Sequence, residues 1–223
     1  MSQQLSRSVQ TNQEGVHERL EDYVQRHIRH SFQKPIQKHN EEAFSTLQSA
    51  LKKFDGHPLI LDSCCGTGMS SINLARLNPD ALIIGLDQSY HRLNKYGVAE
   101  DTPENCILLR ANCEDIWRLC ADNDIRFEQH TIFYPNPWPK SVHLKRRWHG
   151  HPVFPKLKQL STSLELRSNW KLYLEEFAVA WRILCGEDVL VKELEIKDPF
   201  TLFEKKYHAS GQPLFQLKIE NID

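Results

Sequence analysis

A glycine turn and two carboxylates stand where they could handle a nucleotide. The run Asp62-Ser-Cys-Cys-Gly66-Thr-Gly68 closes a short apolar stretch. Its glycines, lacking Cβ, let the backbone turn tightly and approach a ligand closely. Asp87 ends the next apolar stretch, where a carboxylate can accept hydrogen bonds from both hydroxyls of a ribose. Together these features point to an adenosine-containing ligand, the alternative being a turn that binds nothing. A dinucleotide fingerprint reads G-x-G-x-x-G and seats a pyrophosphate on a helix N-terminus. Here its third glycine position, three residues after Gly68, is Ser71.

A second constellation lies further along. In Tyr134-Pro-Asn-Pro-Trp-Pro-Lys140 the three prolines make a rigid, non-helical loop that could hold a flat substrate, unless it is only a structural connection. Residues 129–164 contain no Asp or Glu, yet hold Lys140, Lys145, Arg146, Arg147, Lys156, Lys158 and four histidines. A weaker basic stretch, with Arg26, Arg29, Lys34 and Lys38, runs from Tyr23 to Asn40. A net charge of -1 does not exclude a polyanion partner if the positive charge is gathered on one face. The competing reading of both stretches is a solvated surface. His143 and His149, beside Trp148, could stack on bases, although solvation or capping is the plainer role.

The elements that must position these residues alternate along the chain. Apolar runs at 58–62, 81–87, 106–110 and 131–134 read as strands, each followed by a helical or loop segment. Further strands are expected at 163–166, 189–191 and 214–219, with a long helix from Trp170 to Leu184. Near-continuous apolar strands between helices signal a mostly parallel, seven-stranded α/β sheet covered on both faces. Apolar spacings of three and four from Val16 to Phe54 predict two amphipathic helices broken near Pro35. The expected organisation is a flexible tail (residues 1–12) and helical extension within 1–54, then one domain over 55–223. Trp117, Trp170 and Trp181 read as core.

The 223 residues, 40% hydrophobic and 26% charged, suit a soluble domain with a substantial core. No stretch approaches the roughly 20 apolar residues of a membrane span, and the polar start lacks a signal peptide's apolar segment. A cytoplasmic protein with no membrane partner is expected. The cysteines at 64, 65, 106, 113, 120 and 185 form no CxxC pair, so reduced thiols and no metal site are expected. No surplus apolar face is visible, which favours a monomer.

The glycine run resembles the first motif of class I methyltransferases, an acid followed by G-x-G-x-G, with Cys64 at the first glycine. The segment from Tyr134 to Arg147 resembles the F-P-D-P-W-x-K-x-R-H-x-K-R-R motif of the tRNA (guanine-N7-)-methyltransferase family. Ser168-Asn169-Trp170 is similar to that family's T-D-W, and Thr201-Leu-Phe-Glu204 to its T-x-F-E, so the likeness runs from about Leu59 to Ile219. It implies a Rossmann-like class I methyltransferase fold, S-adenosyl-L-methionine as cofactor and tRNA as partner. It places Asp62, Cys64, Gly66, Gly68, Asp87, Asn112 and Asn136 around the cofactor, with Asn136 also at the reacting atoms. Lys140, Asn169, Thr201 and Glu204 would meet the guanine. Val142, His143, Leu144, Lys145, Arg146 and Arg147 would follow the RNA backbone.

The chain departs from this family at several positions. Asn112, Asn136 and Asn169 stand where it has aspartate, and Val142 where it has arginine. An amide keeps a carbonyl acceptor but loses the charge; hydrogen bonds to charged groups contribute about 1.5–3 kcal/mol against roughly 1 for neutral ones. Two other readings follow. Asn136-Pro-Trp138 is similar to the N-P-P-[YFW] loop of amino-group methyltransferases acting on adenine or cytosine, though it lacks the second proline. The three amides and Cys64 also suit an RNA-binding homologue that has lost its chemistry.

Overall fold

The computed structural model describes Ser6, residues 8–94 and residues 102–223. Residues 1–5 and 7, part of the span read as a flexible tail, lie outside the described residues. Two helices come first, Leu20–Arg29 (α1) and Lys38–Lys53 (α2), and the break between them contains Pro35 as the spacing predicts. The chain then alternates through Leu59–Ser63 (β1), Met69–Leu77 (α3), Leu82–Asp87 (β2), Tyr90–Leu93 (α4), Cys106–Arg110 (β3), Cys113–Asp122 (α5) and Gln129–Phe133 (β4). After three 3-10 turns between Ser141 and Lys156 come Leu157–Leu160 (α6), Leu164–Ser168 (β5), Lys171–Cys185 (α7), Val191–Glu193 (β6), Leu202–Ala209 (α8) and Phe215–Ile219 (β7).

The strands form the expected seven-stranded sheet, in the order β3-β2-β1-β4-β5-β7-β6. β1 pairs in parallel with both β2 and β4, and β2 with β3, whereas β6 and β7 are antiparallel. Every residue of β2 is buried, which is why its sequence reads as unbroken apolar residues rather than an alternating pattern. Successive strands run outward from β1 to β3, and the chain then returns to the other side of β1 at β4. In sheets of this kind, ligands bind outside the carboxyl ends of the strands at such a reversal.

The described chain divides into two compact units. One holds the N-terminal residues up to Phe32, with Tyr134–Pro155 and Glu165–Ile219; the other holds Gln33–Phe133, Lys156–Leu164 and Glu220–Asp223. α1 therefore belongs to the first unit and α2 to the second. In the first, α1 lies against α7, and in the interior Phe177 stacks on Trp181 while Phe154 packs edge-on against both. In the second, Trp117 is fully buried and donates to Ser63 Oγ at 2.9 Å. Trp170 is also buried, so the three tryptophans read as core are core. No helix of the described residues is long and apolar enough to cross a membrane.

Candidate active site

In the second unit, the carboxyl ends of β1, β2 and β3 bring Cys64, Gly66, Asp87 and Asn112 together. Cys65 N donates to Leu86 O at 2.9 Å, and Ala111 N to Asp87 O at 3.2 Å, which ties the three strand ends to one another. Gly66 N donates to Asp87 Oδ2 at 3.0 Å, and Ser89 N to Oδ1 at 2.8 Å. Arg92 reaches Oδ2 at 3.4 Å. These three donors leave the carboxylate with acceptor capacity, since two oxygens offer about four lone-pair sites. Gly66 has a φ of +62°, and a Cβ built on it would meet nothing within 4 Å, so the turn faces open space. Asn112, the residue before α5, is held through its backbone N–H by Asn40 Oδ1 at 2.9 Å. A ligand carrying a ribose fits this donor and acceptor set.

Asp62 behaves differently from the expectation. Its side chain is fully buried: Oδ2 accepts from Ser70 and Ser71 at 2.6 Å each, and Oδ1 from Thr131 at 3.0 Å. Burial raises its pKa in spite of those bonds. Asp62 anchors the start of α3 beneath the glycine turn and offers no free face to a cofactor. Ser70 and Ser71 are the missed partners, and their place in the first turn of α3 was the signal.

Cys64, at the position of a family glycine, adopts φ +62°. That left-handed conformation strains any residue with a Cβ, by about 1 kcal/mol or more. Its Sγ lies 4.0 Å from Cys113 Sγ, and all six cysteines are free thiols. Cys64→Gly is expected to stabilise the protein by about 1 kcal/mol, the strain relieved being partly offset by the lost thiol contact. Urea unfolding checks this, and an unchanged or lower midpoint would count against stored strain. Among the described residues, no group of three or more His, Cys, Asp or Glu side chains is placed to hold a metal ion.

The first unit carries the proline loop. β4 stops at Phe133, one residue earlier than its apolar run suggests, because Tyr134 turns to φ +52°. Trp138 also sits at φ +45°. Asn136 and Lys140 are exposed, and Asn136 Oδ1 accepts weakly from Trp138 N at 3.4 Å. Val142, Lys145 and Arg146 are exposed too, Arg146 lying over the Trp138 ring at 4.6 Å and Lys145 over Tyr23 at 4.9 Å. His143 packs edge-on against Trp138.

Leu144 and Arg147 are not on that surface. Leu144 is buried, and Arg147 is 0% exposed, with its Nη1 2.5 Å from Glu176 Oε2. His149, read as solvated or stacking, is likewise buried, with Nε2 3.0 Å from the same carboxylate oxygen. Burial alone would raise the Glu176 carboxyl, but His149, Arg147 and Gln13 together hold it down at about 2. Burial lowers His149 against the pull of that carboxylate. Sequence reasoning missed Glu176. Its signal was an acid sharing helical spacing with Tyr173, Phe177, Ala180 and Trp181, the buried face of α7.

Thr201 and Glu204 open α8. Thr201 Oγ1 accepts from Glu204 N at 3.0 Å, the N-cap half of a capping box. Glu204 is fully buried, and its carboxylate accepts from Phe200 N at 2.6 Å, Arg167 at 2.8 Å and Tyr134 Oη at 3.1 Å. Burial, then the Glu204 charge, pushes the Tyr134 phenol up. Glu204 thus ties the start of the proline loop to α8, and its carboxylate does not present itself to a base. Asn169 Nδ2 donates to Gln212 Oε1 at 2.9 Å, which leaves its carbonyl oxygen available.

Known proteins resemble this chain in sequence and in fold. A tRNA (guanine-N(7)-)-methyltransferase of Escherichia coli strain K12 is 25% identical over 181 residues, covering 74% of this chain and 73% of that protein. A Shigella flexneri protein of the same name matches equally. Among solved structures, the 16S rRNA methyltransferase KamB superposes with TM-score 0.58 at 15% identity, over 85% of this chain and 96% of that one. A 16S rRNA (adenine(1408)-N(1))-methyltransferase from Catenulisporales acidiphilia, solved with cosubstrate SAM, gives 0.57 at 14% identity, over 79% and 91%. The fold is therefore that of Rossmann-like class I methyltransferases. The family model described as "Putative methyltransferase" (Methyltransf_4) matches residues 56–217, from just before β1 into β7. By that match, the chain belongs to this methyltransferase family.

Proposed function

We propose that this S-adenosylmethionine-dependent methyltransferase acts on N7 of a guanine in tRNA. The observation that carries the reading is the proline loop after β4. It presents Asn136 and Lys140 to solvent, within the segment that resembles the guanine-N7 family, in a chain similar to the E. coli enzyme over most of its length. The cofactor supplies an electrophilic methyl group on a sulfonium. Gly66 gives it room at the turn, Gly68, packed against Leu108, closes that turn in a left-handed conformation, Asp87 accepts from its ribose hydroxyls, and Cys64 and Asn112 border it. Guanine N7 carries a lone pair and no proton, so no residue need act as a general base. Alignment at about 3–3.5 Å is the main requirement. Asn136 orients the reacting atoms, and Lys140, Asn169 and the Thr201 hydroxyl meet the base. His143, Lys145 and Arg146, with the exposed Val142 between them and the loop, follow the RNA backbone. An RNA substrate suits their charge. The absence of an acid at Asn112, Asn136 and Asn169 is compatible with this chemistry because no proton is removed.

The test is to incubate the full chain with methyl-labelled cofactor and bulk tRNA and to analyse the nucleosides. Label in 7-methylguanosine is the expected result. Label in methylated adenine or cytosine would move the reading to amino-group methylation. No label in any RNA, with S-adenosylhomocysteine still binding by calorimetry, would overturn the proposal.

A further inference from the structure

We infer that Arg147 is the positioning residue of the proline loop, oriented by Glu176 and by a strap formed by Thr11, Asn12 and Gln13. The inference deepens the proposed function and rests on it. Residues 138–141 pair with no strand among the described residues, and Trp138 holds a left-handed φ. Each of these four residues nevertheless commits a backbone group to this assembly. Arg147 Nε donates to Trp138 O at 3.1 Å, and Nη2 to Lys140 O at 3.3 Å. Thr11 Oγ1 donates to Pro139 O at 2.7 Å, and Ser141 N donates to Asn12 Oδ1 at 3.0 Å. Thr11 and Asn12 fall in the span read as a flexible tail.

The guanidinium is fixed from its other side. Nη1 donates to Glu176 Oε2 and, at 3.0 Å, to Gln13 Oε1, while the group lies 4.8 Å from the Trp170 ring centroid. Gln13 Nε2 donates to Glu176 Oε1 at 2.6 Å, and His17 N to the same oxygen at 2.9 Å. A buried ion pair contributes little net stability over well-packed apolar side chains. What the pair does provide is a rigid fork of donors aimed at two loop carbonyls, a geometry that lysine cannot reproduce. Asn136 and Lys140 stand on the segment so held. Its shape therefore depends on residues that touch neither cofactor nor base.

Two variants of the full chain test this, Arg147→Lys, which keeps the charge beside Glu176, and Gln13→Ala, which leaves the ion pair in place. Steady-state methylation of tRNA and amide hydrogen exchange by mass spectrometry are the readouts. For Arg147→Lys, kcat is expected to fall about tenfold or more with KM for the cofactor unchanged, since small misplacements of reacting groups carry large rate effects. Exchange should accelerate within 134–147 and not elsewhere. Gln13→Ala should move both readouts the same way by a smaller factor, and it decides the matter if Arg147→Lys does not fold. Wild-type kcat in a folded Arg147→Lys protein, or acceleration spread evenly over the chain, would overturn the inference. If the wild type methylates no RNA, the proposed function fails by itself. Exchange confined to 134–147 would then still support the clamp, and uniform exchange would remove it.

Discussion

Glu176→Leu should lower stability by about 3–5 kcal/mol, a large part of what a domain of this size has. The reason is the partner left behind. Arg147 is 0% exposed, and Glu176 is its only carboxylate partner among the described residues, so the substitution strands a guanidinium in the interior of the first unit. His149 Nε2, His17 N and Gln13 Nε2 lose an acceptor at the same time. A leucine fills much of the volume, so a cavity accounts for little of the loss. The double variant Arg147→Met, Glu176→Leu separates charge from packing: removing both ions should restore the part of the loss that comes from the stranded guanidinium, because apolar replacements of buried ion pairs are often neutral or better, while the three donors left without Glu176 keep it below wild type. Urea unfolding of the three proteins gives the comparison. A Glu176→Leu protein within about 1 kcal/mol of wild type would mean that water or another group reaches Arg147. The restored double variant should also lack the fork that holds the loop, so regained stability without regained activity is the expected pattern.

Stability is also expected to decline steeply as the pH falls below about 6.5, with His130 as the largest single contributor. His130 is completely buried in β4, and burial lowers its imidazole to about 3. Its Nε2 lies 2.8 Å from Ser63 Oγ, while Nδ1 has no hydrogen-bond partner among the described residues. A second ring proton would therefore point at nothing that could accept it. Between the ordinary value of 6.5 and about 3, the unfolded chain binds a proton that the folded chain refuses, so acid drives unfolding. The contribution is fully present above 6.5 and fades at about 1.4 kcal/mol per pH unit, on the order of 5 kcal/mol over the window. His149 and His27, also lowered by burial, act in the same direction from the same starting pH. Glu176, held at about 2, adds a further loss once the pH drops through the ordinary carboxylate range. His130→Leu should flatten the profile, measured as urea midpoints from about pH 7 to 4.5, by roughly one proton's worth. A profile that keeps its slope would show that other groups govern acid unfolding.

How much of this was legible beforehand follows from the range of each interaction. Strands β1 and β2 could be read almost to the residue because burial on both faces writes an unbroken apolar run into a few neighbouring positions, and β3, at the sheet edge and only partly buried, still keeps such a run from Cys106 to Leu109. The glycine turn, Asp87 and the proline loop were legible for the same reason: their signals are local. Asn136 and Lys140 are exposed on that loop. Asp62, Arg147 and Glu204 are the instructive exceptions. Each has the residue type of a ligand-binding group, and nothing within a few positions shows which way a long charged side chain will turn.

By itself, then, the sequence determined the order of strands and helices, the two glycines of the turn after β1 and the family to which the chain belongs. Only the tertiary structure decided which charges face solvent. The pairs that turn Arg147 toward Glu176 and Gln13, and Glu204 toward Tyr134 and Arg167, join positions 29 to 134 residues apart. A buried charge must find partners wherever the fold brings them, and sequence periodicity carries no record of contacts at that separation.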